Sequence, residues 1–177
     1  MNDRPVALIT GVGPGTGAAM ARRFARGGYS VAMLARSRER LDALEHEIEH
    51  SRGYACDVTD EAQLDATIER VRADLGAPKV LIHNAVGGAF GSFLEIEPEV
   101  LNRNFQVNTM ALLHLARRLA PAMIEAKEGA IIVTGNTLRF AASRCSQALR
   151  RPRRRNGSSP KRLLARSGRR VCMSPMS

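Results

Sequence analysis

Thr10-Gly-Val-Gly-Pro-Gly-Thr-Gly17 follows the apolar run Val6-Ala-Leu-Ile-Thr10 and leads into a stretch, 16–26, whose apolar residues have helical spacing. A strand, a glycine-rich turn and a helix N-terminus in that order form the arrangement by which a β-α-β unit offers backbone N–H groups to a diphosphate. Glycine is needed because a Cβ would hold the backbone away from the phosphate oxygens, while the first free N–H groups and the helix dipole favour the anion. Thr10, Gly11, Gly13, Gly15, Thr16 and Gly17 are therefore candidate contacts for a dinucleotide. A glycine motif alone is weak evidence, and the competing reading is a plain glycine-rich turn; its position between a strand and a helix gives it weight.

Outward from this turn, short apolar runs alternate with amphipathic stretches. Gly27-Gly28 ends the first helix, and residues 29–35 read as a second strand. Ser37 can cap a helix running to about His50, and 53–57 is a short third strand. Thr59 or Asp60 caps a helix to about Asp74, and a fourth strand, 79–84, follows the Gly76/Pro78 break. After a loop from Gly87 to Pro98, a long helical stretch covers about 99–127 with an interruption near Asn108, and 129–134 is a fifth strand. Strands joined by helices predict an α/β chain: a Rossmann-type, doubly wound parallel sheet of about five strands, incomplete, in one dinucleotide-binding domain over 1–137.

The rest of the chain reads differently. Twelve of the 27 Lys and Arg residues and none of the 17 acidic ones lie in 138–177, which leaves 15 basic against 17 acidic residues before that point, a net of −2. The overall charge of +10 thus belongs to a basic tail with no hydrophobic period, expected to be disordered. As a nucleic-acid arm the tail would lack the aromatic residues usually interleaved with such charges, so nucleic acid is not the expected partner. Cys56, Cys145 and Cys172 are too few and too scattered for a disulfide framework, which favours a reducing, cytoplasmic setting and a core role for Cys56. There is no signal-peptide pattern and no apolar run near the ~20 residues of a membrane span. His46 and His50 are spaced to share a helix face but have no third ligand, so a solvated face is expected and no metal site.

The spacing T-G-x-x-x-G-x-G at Thr10, Gly11, Gly15 and Gly17 resembles the short-chain dehydrogenase/reductase family. Asp57-Val58 is similar to that family's adenine-contacting pair, His83-Asn84-Ala85 to its N-A-G motif, and Asn108 to its helix-borne catalytic asparagine; Val86 departs, standing where glycine is usual. The resemblance spans about residues 5–136. It implies an oxidoreductase that exchanges a hydride between a nicotinamide cofactor and a small carbonyl or alcohol, with Asn84 and Ala85 in the cofactor loop. Cofactor choice turns on Ala35-Arg36-Ser37-Arg38 after the second strand: an acid there would bind the ribose hydroxyls of NAD, and an arginine accepts the 2′-phosphate of NADP. NADP is favoured over NAD, against the alternative that Arg36 is merely solvated.

The same resemblance exposes a gap. Family members move the proton with a tyrosine whose pKa is lowered by a lysine four residues on, and polarise the carbonyl with a serine. Here the only tyrosines are Tyr29 and Tyr54, and the serine position falls near Asn136, with Thr134 and Thr137 beside it. Of the usual tetrad Asn108 remains, so the chain is expected to be inactive, or to be a non-catalytic NADP-binding or sensing domain.

Reading the encoding one nucleotide earlier permits Val-His-Val-Ala-Tyr-Val across 171–177, Leu-Gly-Pro-x-Gly across 166–171, and Phe-x-x-x-Lys between Ala148/Leu149 and Pro152/Arg153. These strings are similar to the family's downstream passage, which makes a single-nucleotide loss near Thr137 or Leu138 the expectation for the tail. The resemblance implies a homo-oligomer; an incomplete sheet without the helix usually used for it removes that expectation here and predicts exposed apolar surface.

Overall fold

In the computed structural model, which describes residues 4–89 and 94–135, strand β1 (Val6–Thr10) is buried at every residue. Burial on both faces is what a central strand covered by helices on each side requires. Its neighbours are β2 (Ser30–Ala35) and β4 (Pro78–His83), both parallel to it, with Leu8 opposite Ala32 on one side and Leu81 on the other. Outside them lie β3 (Ser51–Ala55), pairing β2, and β5 (Ala130–Val133), pairing β4. The strand order 3-2-1-4-5 reverses direction between β1 and β4, as in a doubly wound sheet.

Alternation of side chains along the strands sorts the core into two layers. Leu8, Leu34, Tyr54 and Leu81 face helices α3 (Glu61–Asp74) and α5 (Ala111–Glu125), meeting Leu64, Ile68, Leu115 and Leu119. Ile9, Met33 and Ile82 face α1 (Thr16–Arg26) and α2 (Arg38–Glu47), meeting Ala18, Ala21, Leu41 and Leu44. Ser37 caps α2 by accepting from the Arg40 N–H, and Asp60 caps α3 by accepting from that of Gln63. Cys56 is a buried core residue.

Three boundaries differ from expectation. Helix α2 stops at Glu47, because Ile48 leaves the helical region to enter the core and His50 takes a positive φ of 60°; His46 and His50 therefore do not share a helix face. Strand β3 starts and ends two residues early. The His50 carbonyl already accepts from the Val31 N–H, and at the far end the Asp57 carboxylate closes a turn on Thr59. The long helix is α4 (Pro98–Phe105), a π-helical turn (Gln106–Met110) and α5, so the interruption expected near Asn108 is an inserted residue in the helical ladder.

Among the described residues strand β5 forms an edge of the sheet, and it is exposed at all four positions. The basic tail, Asn136, Thr137 and the frame-shifted strings all lie outside the described residues. No described helix is long and apolar enough to cross a membrane, and no group of His, Cys, Asp and Glu among the described residues is arranged to hold a metal.

Candidate functional site

At the carboxyl ends of β1 to β4, over the point where strand order reverses, the chain forms a cleft of about 870 Å³. Open α/β sheets leave their binding crevice at this place.

The turn from β1 to α1 makes the floor. Gly11 has a φ of +68°, and a Cβ on it would lie 2.5 Å from both Cα and N of Ala85, so backbone conformation and close approach both demand glycine. A Cβ on Gly17 would meet Val12 Cα at 2.7 Å, which lets α1 pack tightly on the turn. Gly13 and Gly15 are different: an added Cβ would find nothing within 4 Å, so their backbone borders open space. Helix α1 starts from Gly15 with no side-chain cap and no acid in its first turn, leaving its positive end to an external anion.

Behind the floor a buried network ties three segments together. The His83 Nε2–H donates to the Val107 carbonyl at 3.1 Å, which leaves Nδ1 to accept from the Thr10 hydroxyl at 3.0 Å. That hydroxyl oxygen in turn accepts from the backbone N–H of Asn84 at 3.3 Å and of Ala85 at 3.4 Å. The Asn84 side chain donates to the Gly11 carbonyl at 2.8 Å. Burial pushes the His83 pKa down, opposed by its bond to Val107, which agrees with the neutral ring that this pattern needs. Asn108, in the π turn, forms a two-point amide pair with Gly87, accepting from its N–H at 2.8 Å and donating to its carbonyl at 3.0 Å. The segment after β4 is thus held by the glycine turn on one side and the π turn on the other.

The walls carry the charge. Arg36, Ser37 and Arg40 line the cleft after β2, Asp57 and Val58 after β3, and Arg103, Asn104 and Val107 from α4 and the π turn. Asp57 Oδ1 accepts from the Thr59 N–H at 3.0 Å and from its hydroxyl at 2.8 Å. These bonds hold the carboxyl below the usual range, and the charges of Arg36 and Arg103 add to the effect. Arg38 turns away instead, donating to the Gly53 carbonyl at 2.7 Å and pairing with Asp42.

Of the residues singled out from the sequence, Gly11, Gly13, Arg36, Asp57, Val58 and Ala85 line the cleft. Thr10, Gly17, Asn84 and Asn108 stand behind it as braces, and Gly15 and Thr16 form the exposed start of α1. Val86, the departure from the glycine usual there, is 71% exposed on the cleft wall. Sequence reasoning missed the bridging role of His83, and it missed Arg40 and Arg103. Arg40 could have been found one helical turn beyond Arg36; Arg103 carries no local signal, because α4 reaches the cleft only through tertiary packing.

Neither tyrosine is at the cleft. Tyr54 is fully buried, donating to Asp74 at 3.0 Å, and burial foremost drives its pKa far above the ordinary tyrosine value, the wrong direction for a proton donor near neutral pH. Tyr29 packs edge-on against Phe24. Among the described residues the lysines are equally remote: Lys79 starts β4, where it pairs with Glu128, and Lys127 precedes β5, both at the end of the sheet away from the cleft.

A short chain dehydrogenase family profile matches residues 5–145. A fatty acyl-CoA reductase of Acinetobacter baylyi is 34% identical over 160 residues, covering 81% of this chain and 52% of the relative. A metagenomic short-chain oxidoreductase solved in complex with NADP superposes with a TM-score of 0.69 at 38% identity, covering 73% of this chain and 61% of that one. A 3-ketoacyl-(acyl-carrier-protein) reductase from Brucella melitensis, complexed with NADH, gives 0.68 at 30% identity, covering 73% and 56%. The chain spans about half the length of the curated relatives it matches.

Proposed function

Because this chain belongs to the short chain dehydrogenase family, we propose that its cleft binds a nicotinamide dinucleotide, NADP(H) in preference to NAD(H), and that the described part of the chain holds this cofactor without turning it over. The observation that carries the reading is the cleft floor: Gly13 and Gly15 border open space at an uncapped helix N-terminus, while Gly11 and Gly17 are locked by contacts a Cβ would break. A diphosphate fits that cradle through Gly13, Gly15 and Thr16, with Asp57 and Val58 at the adenosine end and Asn84 and Ala85 in the braced loop.

Arg36 supports the phosphorylated form. It is exposed on the cleft wall after β2, where no acid stands to receive ribose hydroxyls. A guanidinium offers a planar fork of donors to a phosphate, and the 2′-phosphate is the group that separates the two cofactors.

A bound nicotinamide supplies the hydride exchanged with a carbonyl or alcohol, the small-molecule partner this family implies. Among the described residues no tyrosine or lysine stands at this cleft to supply the proton for that exchange, since Tyr29, Tyr54, Lys79 and Lys127 all lie elsewhere. Asn108 spends both of its amide groups on Gly87, so we assign it as a positioning residue for the cofactor loop. The reading includes a soluble, cytoplasmic setting, consistent with three scattered cysteines.

Titrating the chain with NADPH and NADH by nicotinamide fluorescence, followed by incubation with a panel of carbonyl compounds, tests each part. Saturable binding that is tighter for NADPH, without oxidation of the bound cofactor, is the expected result. Binding of NADH alone overturns the role of Arg36, and measurable turnover overturns the missing proton donor.

A further inference from the structure

The charged residues lining the cleft are three arginines, Arg36, Arg40 and Arg103, and one carboxylate, Asp57. That surplus exceeds what a dinucleotide's bridging diphosphate requires, because the diphosphate is served by the uncharged glycine turn and the α1 N-terminus. The two extra positive charges match a phosphate monoester, which carries roughly −1.5 to −2 at neutral pH. They come from separate elements: Arg36 and Arg40 flank the start of α2, whereas Arg103 arrives from the last turn of α4, 63 residues beyond Arg40.

Several features place Arg103 on the cleft as an agent and not as a passive surface charge. It is exposed, it lines the cleft beside Asn104 and Val107, and no ion pair of its guanidinium is found among the described residues. Asn104, the next residue, packs against Gly87: a Cβ on Gly87 would meet Asn104 Oδ1 at 2.5 Å. The braced loop therefore fixes this turn of α4 against the cofactor side. Arg36, Arg40 and Arg103 line the same cleft as the Asp57 carboxylate, Arg36 and Arg40 from the β2–α2 side and Arg103 from α4.

We propose that Arg103 is a further specificity-determining residue. From the α4 wall it meets the phosphate that distinguishes NADP(H) from NAD(H), and it completes with Arg36 and Arg40 a three-cation enclosure around that group. This rests on the reading that the cleft binds a nicotinamide dinucleotide.

Dissociation constants for NADPH and NADH, measured on the full chain for wild type, Arg103→Ala and Arg103→Lys, test it. Arg103→Ala weakens NADPH by roughly fivefold, the weight of one close charge pair in solvent-like surroundings, and leaves NADH within the error of wild type. Arg103→Lys keeps most of the preference because the charge survives. The salt dependence of NADPH binding is shallower in Arg103→Ala than in wild type, a readout a merely structural role would not move. Equal losses for both cofactors, or no loss for NADPH, overturn the assignment to Arg103 while leaving dinucleotide binding intact. Wild type that binds neither cofactor overturns the parent reading, and the assignment falls with it.

Discussion

Two glycines, with one residue between them, make the residue-scale case that the turn after β1 is built for a ligand. Gly11 is required by the fold: its φ of +68° and the 2.5 Å approach to Ala85 leave no room for a side chain. Gly13 is not, since its missing Cβ faces empty space. Gly11→Ala is therefore expected to destabilise the chain by well over ~1 kcal/mol in denaturant unfolding, from the left-handed backbone alone. Gly13→Ala should unfold at the wild-type midpoint yet weaken NADPH binding by roughly tenfold, the scale of one lost hydrogen bond to a charged group. Wild-type affinity in Gly13→Ala would mean that the open space there is not the phosphate cradle.

His83 supplies the second residue-scale argument. Its ring is held neutral by burial, with Nδ1 accepting from Thr10 and Nε2 donating to Val107. Its pKa when folded lies below the 6.5 of an unperturbed ring, so below that pH the unfolded chain binds the proton more readily. The stability it contributes is complete above 6.5 and is lost as pH falls toward the folded value. Denaturant midpoints measured from pH 8 to pH 5 should decline across that window, and His83→Asn should flatten this component. A decline of the same size in His83→Asn would assign it to groups other than this ring, and not to the Asp57 carboxyl, which is held below the usual carboxylate range and titrates under the window measured. The glycines were legible in the sequence because a backbone requirement is written directly in residue type. The His83 bridge was not: its partners Thr10 and Val107 lie 73 and 24 residues away and meet only through strand order and the π turn.

At the scale of elements, the α4–π–α5 run shows what periodicity reveals and what it conceals. Apolar spacing predicts one long helix with an irregularity near Asn108, and the irregularity is real. Its form, an inserted residue that aims the Val107 carbonyl at His83 and the Asn108 amide at Gly87, depends on partners in other segments. Beyond it, α5 recovers a regular stripe: Leu115 and Leu119 are buried on the sheet while Leu113 is 46% exposed. Leu115→Ala should cost about 2–5 kcal/mol and Leu113→Ala well under 1, both read from chemical denaturation. Similar costs for both would mean that a second apolar surface covers the outer face of α5. The strand and helix types were readable because short apolar runs alternate with longer stretches of helical spacing, although α4 and α5 were read as one interrupted helix. The boundaries that shifted, at Glu47 and Ala55, are set by contacts no period encodes: Ile48 entering the core and Asp57 closing on Thr59.

For the whole molecule, the two edges of the sheet are managed in opposite ways. Along β3 the outward groups of Gly53 are occupied by side chains of α2, its N–H donating to Glu45 at 3.0 Å and its carbonyl accepting from Arg38 at 2.7 Å. An incoming strand would have to displace a charged pair to dock there. Along β5 nothing comparable stands among the described residues, and Ile131, Ile132 and Val133 are 43%, 43% and 51% exposed. Ile124 and the apolar groove it forms with Met123 and Ile131 continue that surface onto α5. A short, uncharged, β-branched edge beside an apolar groove is the pattern that pairs with other chains. Purified chain should therefore self-associate with rising concentration, seen as a growing fast-sedimenting fraction in ultracentrifugation. Ile132→Lys, which places a charge on the open edge without touching the buried layers, should shrink that fraction while leaving NADPH affinity unchanged, because β5 is the strand farthest from the glycine turn's partner β2. Association unaltered by Ile132→Lys but abolished by high salt would instead assign it to the basic tail, whose twelve positive charges are the other feature of this chain able to gather partners.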